Sequence, residues 1–298
     1  MATRPEALRV AAPAKINLFL HVTRKRPDGY HDLQSLVAFA DVGDELALER
    51  ANDLSLSIDG PFAKGLAAEA DNLVLRAARA LAARNASIGG AHVRLTKNLP
   101  VASGIGGGSA DAAATLRGLL GLYDAPVADD EILAIAASLG SDIPVCIASE
   151  AAWMEGRGEI LTALPPLPPA HIVLVNPGLS VATADVFRRL VIRTDRKVLA
   201  PPAAFPSLDA LVAYLKATHN DLETPALAVA PAIGDVLAAL AREGAIFVRM
   251  SGSGATCFGL FETAAKAEHA AATIAKAQPA WWSHAGKLVD AEAARPRS

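Results

Sequence analysis

A lysine, an aspartate and a glycine-dense stretch carry the chemical promise of this 298-residue chain. The stretch is Asn98-Leu99-Pro100-Val101-Ala102-Ser103-Gly104-Ile105-Gly106-Gly107-Gly108-Ser109-Ala110-Asp111. It follows an alternating run, His92–Thr96, and opens into an alanine- and leucine-rich helical pattern from Ala110 to Leu122. Glycines leave backbone N–H groups uncovered, and a helix N-terminus adds partial positive charge, so a strand–turn–helix of this kind suits a phosphate better than a mere surface loop. No lysine follows the glycines, which excludes a P-loop. The dinucleotide spacing fails as well, because Ser109 and Asp111 stand where its last glycine belongs. Lys15 lies in an alternating segment and Asp142 precedes Ile143-Pro144. Phosphoryl transfer to an alcohol needs a cradle, positive charge for the moving group, and a base or orienter for the hydroxyl. Taken singly, the lysine reads equally as a solvated strand residue and the aspartate as a turn cap.

The elements that must position these groups follow from periodicity. Leu8–Val22 reads as extended, with Ile16, Leu18, Leu20 and Val22 turned inward and Lys15 and Asn17 sharing the other face. Pro27-Asp28-Gly29 makes a turn ahead of Tyr30 and His31. Short strands are expected at Leu36–Phe39, Glu45–Glu49 and Leu54–Ile58, then a helix over Asn72–Arg84 capped by Asp71. Asp129–Leu139 is a helix with acids in its first turn and Gly140 as its stop. A strand pattern lies around Ala151–Glu155. Pro165-Pro166-Leu167-Pro168-Pro169 fits neither a helix nor a central strand, which sets a domain boundary there. Beyond it come a strand at Ile172–Val175 and a helix from a Thr183 cap to about Leu190. Arg193–Pro206 reads as an exposed loop. Helices near Leu208–Ala217, Pro225–Val229 and Ala232–Arg242 follow. A strand at Ile246–Met250, a second glycine turn, a strand at Thr256–Phe261, a helix over Thr263–Ala277 and a strand at Lys287–Val289 complete the chain. That order is close to a split βαβ sandwich.

Composition narrows the classes. A 52% hydrophobic fraction supports a substantial core, and a net charge of −3 argues against bulk nucleic-acid binding. The short basic run Arg24-Lys25-Arg26 reads as a solvated turn. Cys146 and Cys257 lack metal spacing and are expected as buried, reduced thiols; no His- or Cys-rich cluster suggests a protein-held metal. Neither a signal-like apolar core in Met1–Val10 nor an apolar run of about 18–20 residues occurs, so a cytoplasmic protein without a membrane segment is expected. No G-x-S-x-G elbow points to a hydrolase.

Across the whole chain these residues resemble the GHMP small-molecule kinases, three of whose motifs are matched in order. They are Pro13-Ala14-Lys15-Ile16-Asn17-Leu18, the segment Pro100–Ala113, and Val248-Arg249-Met250-Ser251-Gly252-Ser253-Gly254-Ala255-Thr256. Arg26-Pro27-Asp28-Gly29-Tyr30-His31, the Gly106–Asp111 form of the loop, Gly140-Ser141-Asp142-Ile143-Pro144-Val145 and Asn220-Asp221-Leu222-Glu223 are similar to the branch whose substrate carries a cytidine diphosphate group. The resemblance spans about residues 10 to 262. It implies an α+β, two-domain GHMP kinase fold. Residues 1–165 would form the N-terminal mixed α/β domain with the phosphate loop, and 166–298 a C-terminal ferredoxin-like split βαβ domain.

The activity implied is ATP-dependent phosphorylation of the 2-hydroxyl of a cytidylyl-linked polyol in non-mevalonate isoprenoid synthesis, with Mg2+ accompanying ATP. Asp142 would be the base. Lys15 would hold it ionised and stabilise transition-state charge. Pro100, Gly104, Gly106, Gly107, Gly108, Ser109 and Ala110 would clamp the ATP phosphates. Asn17 and Thr183 would contact the substrate, Tyr30 and Phe187 would sandwich its cytosine, and His31 would bond the base edge. Many relatives carry two serines in the loop, whereas here Ser109 is followed by Ala110. Asp111 would repel an adjacent phosphate and is expected to point away. No nucleic-acid or membrane partner is expected, and a monomer or weak homodimer is. A GHMP kinase for mevalonate-like, homoserine or sugar substrates has no base for Tyr30 and Phe187 to stack. A non-catalytic relative would be expected to have lost Lys15 or Asp142.

Overall fold

The structure is a computed structural model that describes residues 7–64, 66, 71–191, 199–200 and 202–289. Half of the expected loop at Arg193–Pro206, and the C-terminal tail, therefore lie outside the described residues. Two long antiparallel strands, β1 (Leu8–Lys25) and β2 (His31–Arg50), form its spine. The short strands expected at Leu36–Phe39 and Glu45–Glu49 are parts of the one strand β2, which pairs with β1 on either side of Asp41 and Val42. The register between them shifts at Pro13/Ala14.

That bulge has a chemical result. Before it, Val10 and Ala12 face the core beneath the N-terminal helices; after it, Ala14, Ile16 and Leu18 join the core on the opposite side. Lys15 and Asn17 are thereby turned towards the helices and the glycine loop. An inserted residue re-aims a strand's side chains in this way. Lys15 and Asn17 share one face of β1, as expected, and are 3% and 1% exposed because both sides of the strand are covered.

The sheet continues through β3 (Ser55–Asp59), α1 (Leu73–Arg84) and β4 (Ala91–Thr96), a crossover that leaves β3 and β4 parallel. Asn72, not Asp71, caps α1 by accepting the Val74 N–H, since its shorter reach to the first turn matches the extended backbone there. Helix α2 (Gly107–Tyr123) starts three residues before the expected Ala110, with glycines in its first turn. Alanines and Gly118 let it lie close on the sheet; a Cβ at Gly118 would meet Leu48 at 2.7 Å. After α3 (Asp129–Leu139) and α4 (Ile143–Ala148) come β5 (Ala152–Gly156) and β6 (Ile160–Ala163), a hairpin of which only the first strand was anticipated.

The second half is β7 (His171–Asn176), α5 (Thr183–Arg189), α6 (Leu208–Lys216), α7 (Glu223–Val229), α8 (Ala232–Arg242), β8 (Phe247–Met250), β9 (Cys257–Phe261), α9 (Ala264–Ala277) and β10 (Trp282–Val289). The order matches the split βαβ reading, and α8 and α9 cover its sheet with a separate core around Val173, Val236, Cys257 and Ile274. Thr183 is the first residue of α5 rather than its cap, which is Ala182. β10 is longer than expected and pairs with β7 along six residues and with β2 at Ala40 and Phe39, so one sheet runs β3-β4-β2-β10-β7-β9-β8. Both cysteines are buried and free. No single described helix is long and apolar enough to cross a membrane.

The bulge that aims Lys15 is accommodated by Gly43, where a Cβ would sit 2.5 Å from the Ala12 carbonyl oxygen. Gly43→Ala is expected to cost about 1–3 kcal/mol through this backbone clash. Urea unfolding should show a lower midpoint with an unchanged slope, and an unmoved midpoint would mean that the bulge tolerates a side chain.

Candidate functional site

Two glycine turns meet at the centre of the molecule, and neither leaves room for a side chain where they touch. Gly104 (φ +77°) lies so close to the second turn that an added Cβ would be 2.5 Å from the Ser251 carbonyl oxygen, and one at Gly252 (φ +54°) would be 2.7 Å from the Gly104 oxygen. Ser251 locks the contact. Its hydroxyl donates to the Gly104 carbonyl at 3.0 Å and accepts the Asn17 N–H at 3.0 Å. The Thr256 N–H donates to the Ser103 carbonyl and the Lys15 N–H to the Ile105 carbonyl, each at 3.0 Å. The phosphate loop is thus pinned to β1 on one side and to the β8–β9 turn on the other.

The loop ends in Gly106, left-handed at φ +63°, which begins α2 without a side-chain cap. The N–H groups of the first turn therefore face outward at the positive end of a 17-residue helix. The aliphatic part of Lys15 packs against Gly106, where a Cβ would lie 3.1 Å from it. Its ammonium is 2.8 Å from the Asp142 carboxylate, with side-chain exposures of 4% and 39%. Asp142 does occupy the N-cap position of α4, but its side chain makes no capping bond and is turned to Lys15 instead. Lys15, Asp142, Asn17, Pro100, Gly104, Gly106, Gly107, Gly108, Ser109, Thr183 and Phe187 all line one cavity of about 550 Å³. Ala110 is buried in the first turn of α2 rather than lining it.

Beside the loop, the cavity is walled by Leu66, Leu73, Val74, Leu95 and Val101 with Asn72 and Lys97. Sequence reasoning missed this apolar lobe, because its residues come from the start of α1 and the end of β4 and share no motif. The opposite lining comes from Leu20, Leu33, Met154, Thr183, Phe187 and Leu222. There the His31 ring stacks on Phe187 with centroids 4.8 Å apart and planes 29° from parallel. Tyr30 is 56% exposed, with the Arg157 guanidinium 5.2 Å from its ring centre. Burial, aided by nearby Lys25, lowers the His31 pKa, which favours a neutral imidazole with one donor and one acceptor nitrogen. Thr183 exchanges a 2.9 Å hydrogen bond with Ser253 of the second glycine turn, linking α5 to that turn.

The remaining motif residues are brackets. Asn220 donates to the Met250 and Gly252 carbonyls at 2.8 Å, and Asp221 accepts the Val22 N–H at 2.8 Å. Buried Arg249 donates to the carbonyls of Leu18, Leu215 and Thr218, and burial lowers its pKa to about 10 against the opposing pull of Glu223. Cys146, behind Asp142, has its thiol pushed up to about 12 by burial and is unreactive. Asp111, expected to point away, is buried but still contributes to the cavity lining, where its carboxylate pairs with Lys97 at 2.8 Å.

Comparison with known proteins agrees with this geometry. The pattern of the GHMP kinases N terminal domain matches residues 72–150, and that of the GHMP kinases C terminal matches 203–280. A 4-diphosphocytidyl-2-C-methyl-D-erythritol kinase of Paracoccus denitrificans is 53% identical over 95% of this chain and 98% of its own length. One of Ruegeria pomeroyi is 50% identical over 95% of this chain and all of its own, 100%. A crystal structure of 4-(cytidine 5'-diphospho)-2C-methyl-D-erythritol kinase superposes with a TM-score of 0.76 at 35% identity, covering 94% of this chain and 98% of that one. With relatives this similar along nearly the whole sequence, and with both halves of the fold matched, the chain belongs to the GHMP kinases, within the group of 4-diphosphocytidyl-2-C-methyl-D-erythritol kinases.

Proposed function

We propose that Asp142 and Lys15 carry the chemistry by which this chain, an ATP-dependent kinase of the non-mevalonate isoprenoid pathway, phosphorylates the 2-hydroxyl of 4-diphosphocytidyl-2-C-methyl-D-erythritol. The observation that carries the reading is the 2.8 Å Lys15–Asp142 pair at the mouth of an uncapped, glycine-built helix N-terminus, all facing one cavity. Asp142 accepts the proton of the attacking hydroxyl. Lys15 aligns that carboxylate and meets the charge that grows on the transferred phosphoryl group. The N–H groups from Gly106 to Ser109 hold the phosphates of ATP, and the apolar lobe around Leu66, Leu73, Val74 and Leu95 takes its adenine ring.

No group of three or more His, Cys, Asp or Glu residues among those described forms a metal cage. Mg2+ fits this site as a companion of the ATP phosphates, carried in with most of its water, rather than as a resident ion. It supplies charge neutralisation to the phosphates.

Tyr30 and Phe187 hold the cytosine, with the neutral His31 matched to a base edge that offers both a donor and an acceptor. A base on the face of Phe187 takes the place of the His31 ring now stacked there. Asn17 and Thr183 lie between the two ends and suit the polyol.

ADP release should require the cytidylyl substrate, and mevalonate or homoserine at the same concentration should give none. Asp142→Asn should lower kcat about 10²- to 10⁴-fold, the usual worth of a positioned base. An unchanged kcat removes Asp142 from the chemistry, and equal turnover of mevalonate removes the substrate assignment. Phe187→Ala should raise KM for the cytidylyl substrate about 5- to 150-fold, the loss of one base stack worth about 1–3 kcal/mol, with KM for ATP unmoved. If both KM values rise together, Phe187 supports the fold rather than the base.

A further inference from the structure

Beneath the phosphate loop lies an ionic cluster to which the roles above give no task. Lys97, the residue after β4, is 3% exposed, and its ammonium bonds the carboxylates of Asp44 on β2 and Asp111 on α2, the latter at 2.8 Å. Asp44 also accepts the Asn98 and Leu99 N–H groups at 2.6 and 2.8 Å, so the cluster fixes the start of the loop. A Cβ at Gly107 would come 3.1 Å from the Lys97 ammonium, which puts the cluster directly behind the outward N–H groups. The second oxygen of Asp111, Oδ1, is buried with no hydrogen-bond partner among the described residues.

The charges do not balance. Two carboxylates and one ammonium leave a negative charge behind the cradle of a polyanion, in surroundings too dry to screen it. One proton on the cluster removes that charge. Burial pushes the Asp111 carboxyl up, Lys97 opposes the rise and Asp44 adds to it, leaving Asp111 at about 8. Burial alone would lower Lys97, but Asp111 and Asp44 together hold it above its ordinary value. Other faces of α2 do not supply the missing charge. Lys15 on β1 is engaged by Asp142, α4 offers the neutral Cys146 thiol, and α1 meets α2 through Val74, Ala77 and Ala78. Arg117, further along α2, is committed to the carbonyls of Ala11, Cys146 and Ile147.

We propose that Asp111 is a positioning residue that works as the neutral acid, so that ATP binding at the loop is linked to one proton held by the Asp44–Lys97–Asp111 cluster. The proposal rests on the glycine loop being the ATP phosphate site. Its sign is definite: Asp111 is neutral and the loop receptive below about pH 8, and affinity falls as pH rises through that value. In the unmodified protein, KM for ATP should rise about three- to tenfold between pH 7 and 9.5 without a parallel fall in kcat, the size expected of one partly screened charge. Asp111→Asn, which keeps the shape and cannot ionise, should give a KM that is flat over this range.

A measurement on the unmodified protein guards against a variant that fails to fold. Calorimetric titration with a non-hydrolysable ATP analogue at pH 8.5, in buffers of different ionisation enthalpy, should show uptake of about 0.3–0.6 proton per nucleotide bound, the amount that matches this rise in KM. Binding without proton uptake, or an Asp111→Asn variant whose KM rises as steeply as that of the unmodified protein, overturns the linkage alone. A protein that binds the analogue at no pH overturns the ATP reading of the loop and this proposal with it.

Discussion

The rest of the site depends on a contact between two pieces of bare backbone. Gly104 and Gly252 approach each other's chains at distances no side chain could occupy, with the Ser251 hydroxyl shared between the loop and β1. This contact joins the glycine loop to the half of the molecule that carries Thr183 and Phe187, which line the same cavity. Its hydrogen bonds are inaccessible to water, and a buried donor or acceptor left unpaired would cost about 1–3 kcal/mol. Asn220 holds the second turn by donating to the Met250 and Gly252 carbonyls, while Asp221 accepts the Val22 N–H and Arg249 donates to the Leu18 carbonyl, which ties β1 to the same half.

A lysine and an aspartate 127 positions apart in the chain, 15 and 142, reach each other because of two local devices. The register shift at Pro13/Ala14 exchanges the faces of β1 and sets Lys15 on the side of the glycine loop rather than in the core around Ile16 and Leu18. The short helix α4 begins at Asp142 yet leaves its carboxylate uncapped, so the group is available to the cavity. An aspartate that capped its own helix would have been more stabilising locally and useless to a substrate.

How much of this was legible beforehand follows from how local each signal is. The glycine stretch announced a helix start because that signal arises within a dozen residues, and helices such as Asp129–Leu139 were readable to the residue from their acids and terminal glycine. The single strand β2 was not, since its continuity comes from pairing with β1 on either side of Asp41 and Val42 rather than from its own pattern. The passage of Leu20 and Val22 into a different core from Ile16 and Leu18 was not legible either, because the register shift between Asn17 and Phe19 leaves no mark in an alternating sequence. The Lys97 cluster was invisible for the same reason: three charged residues at positions 44, 97 and 111 look like three surface groups until the fold buries them together. Motif resemblance singled out Lys15 and Asp142, which the fold brings together, but only packing reveals the apolar lobe beside the loop.

The strand β10 carries one more consequence. It lies between β2 and β7, so the two halves of the sheet are joined through a segment near residue 285. During synthesis, β2 and β7 are both made long before it, and each presents an unpaired edge until it arrives. The nascent chain therefore has a long interval in which Phe39–Ala40 and the whole of β7 await a partner. The two halves of the sheet can therefore be joined only after almost all of the described chain has been made.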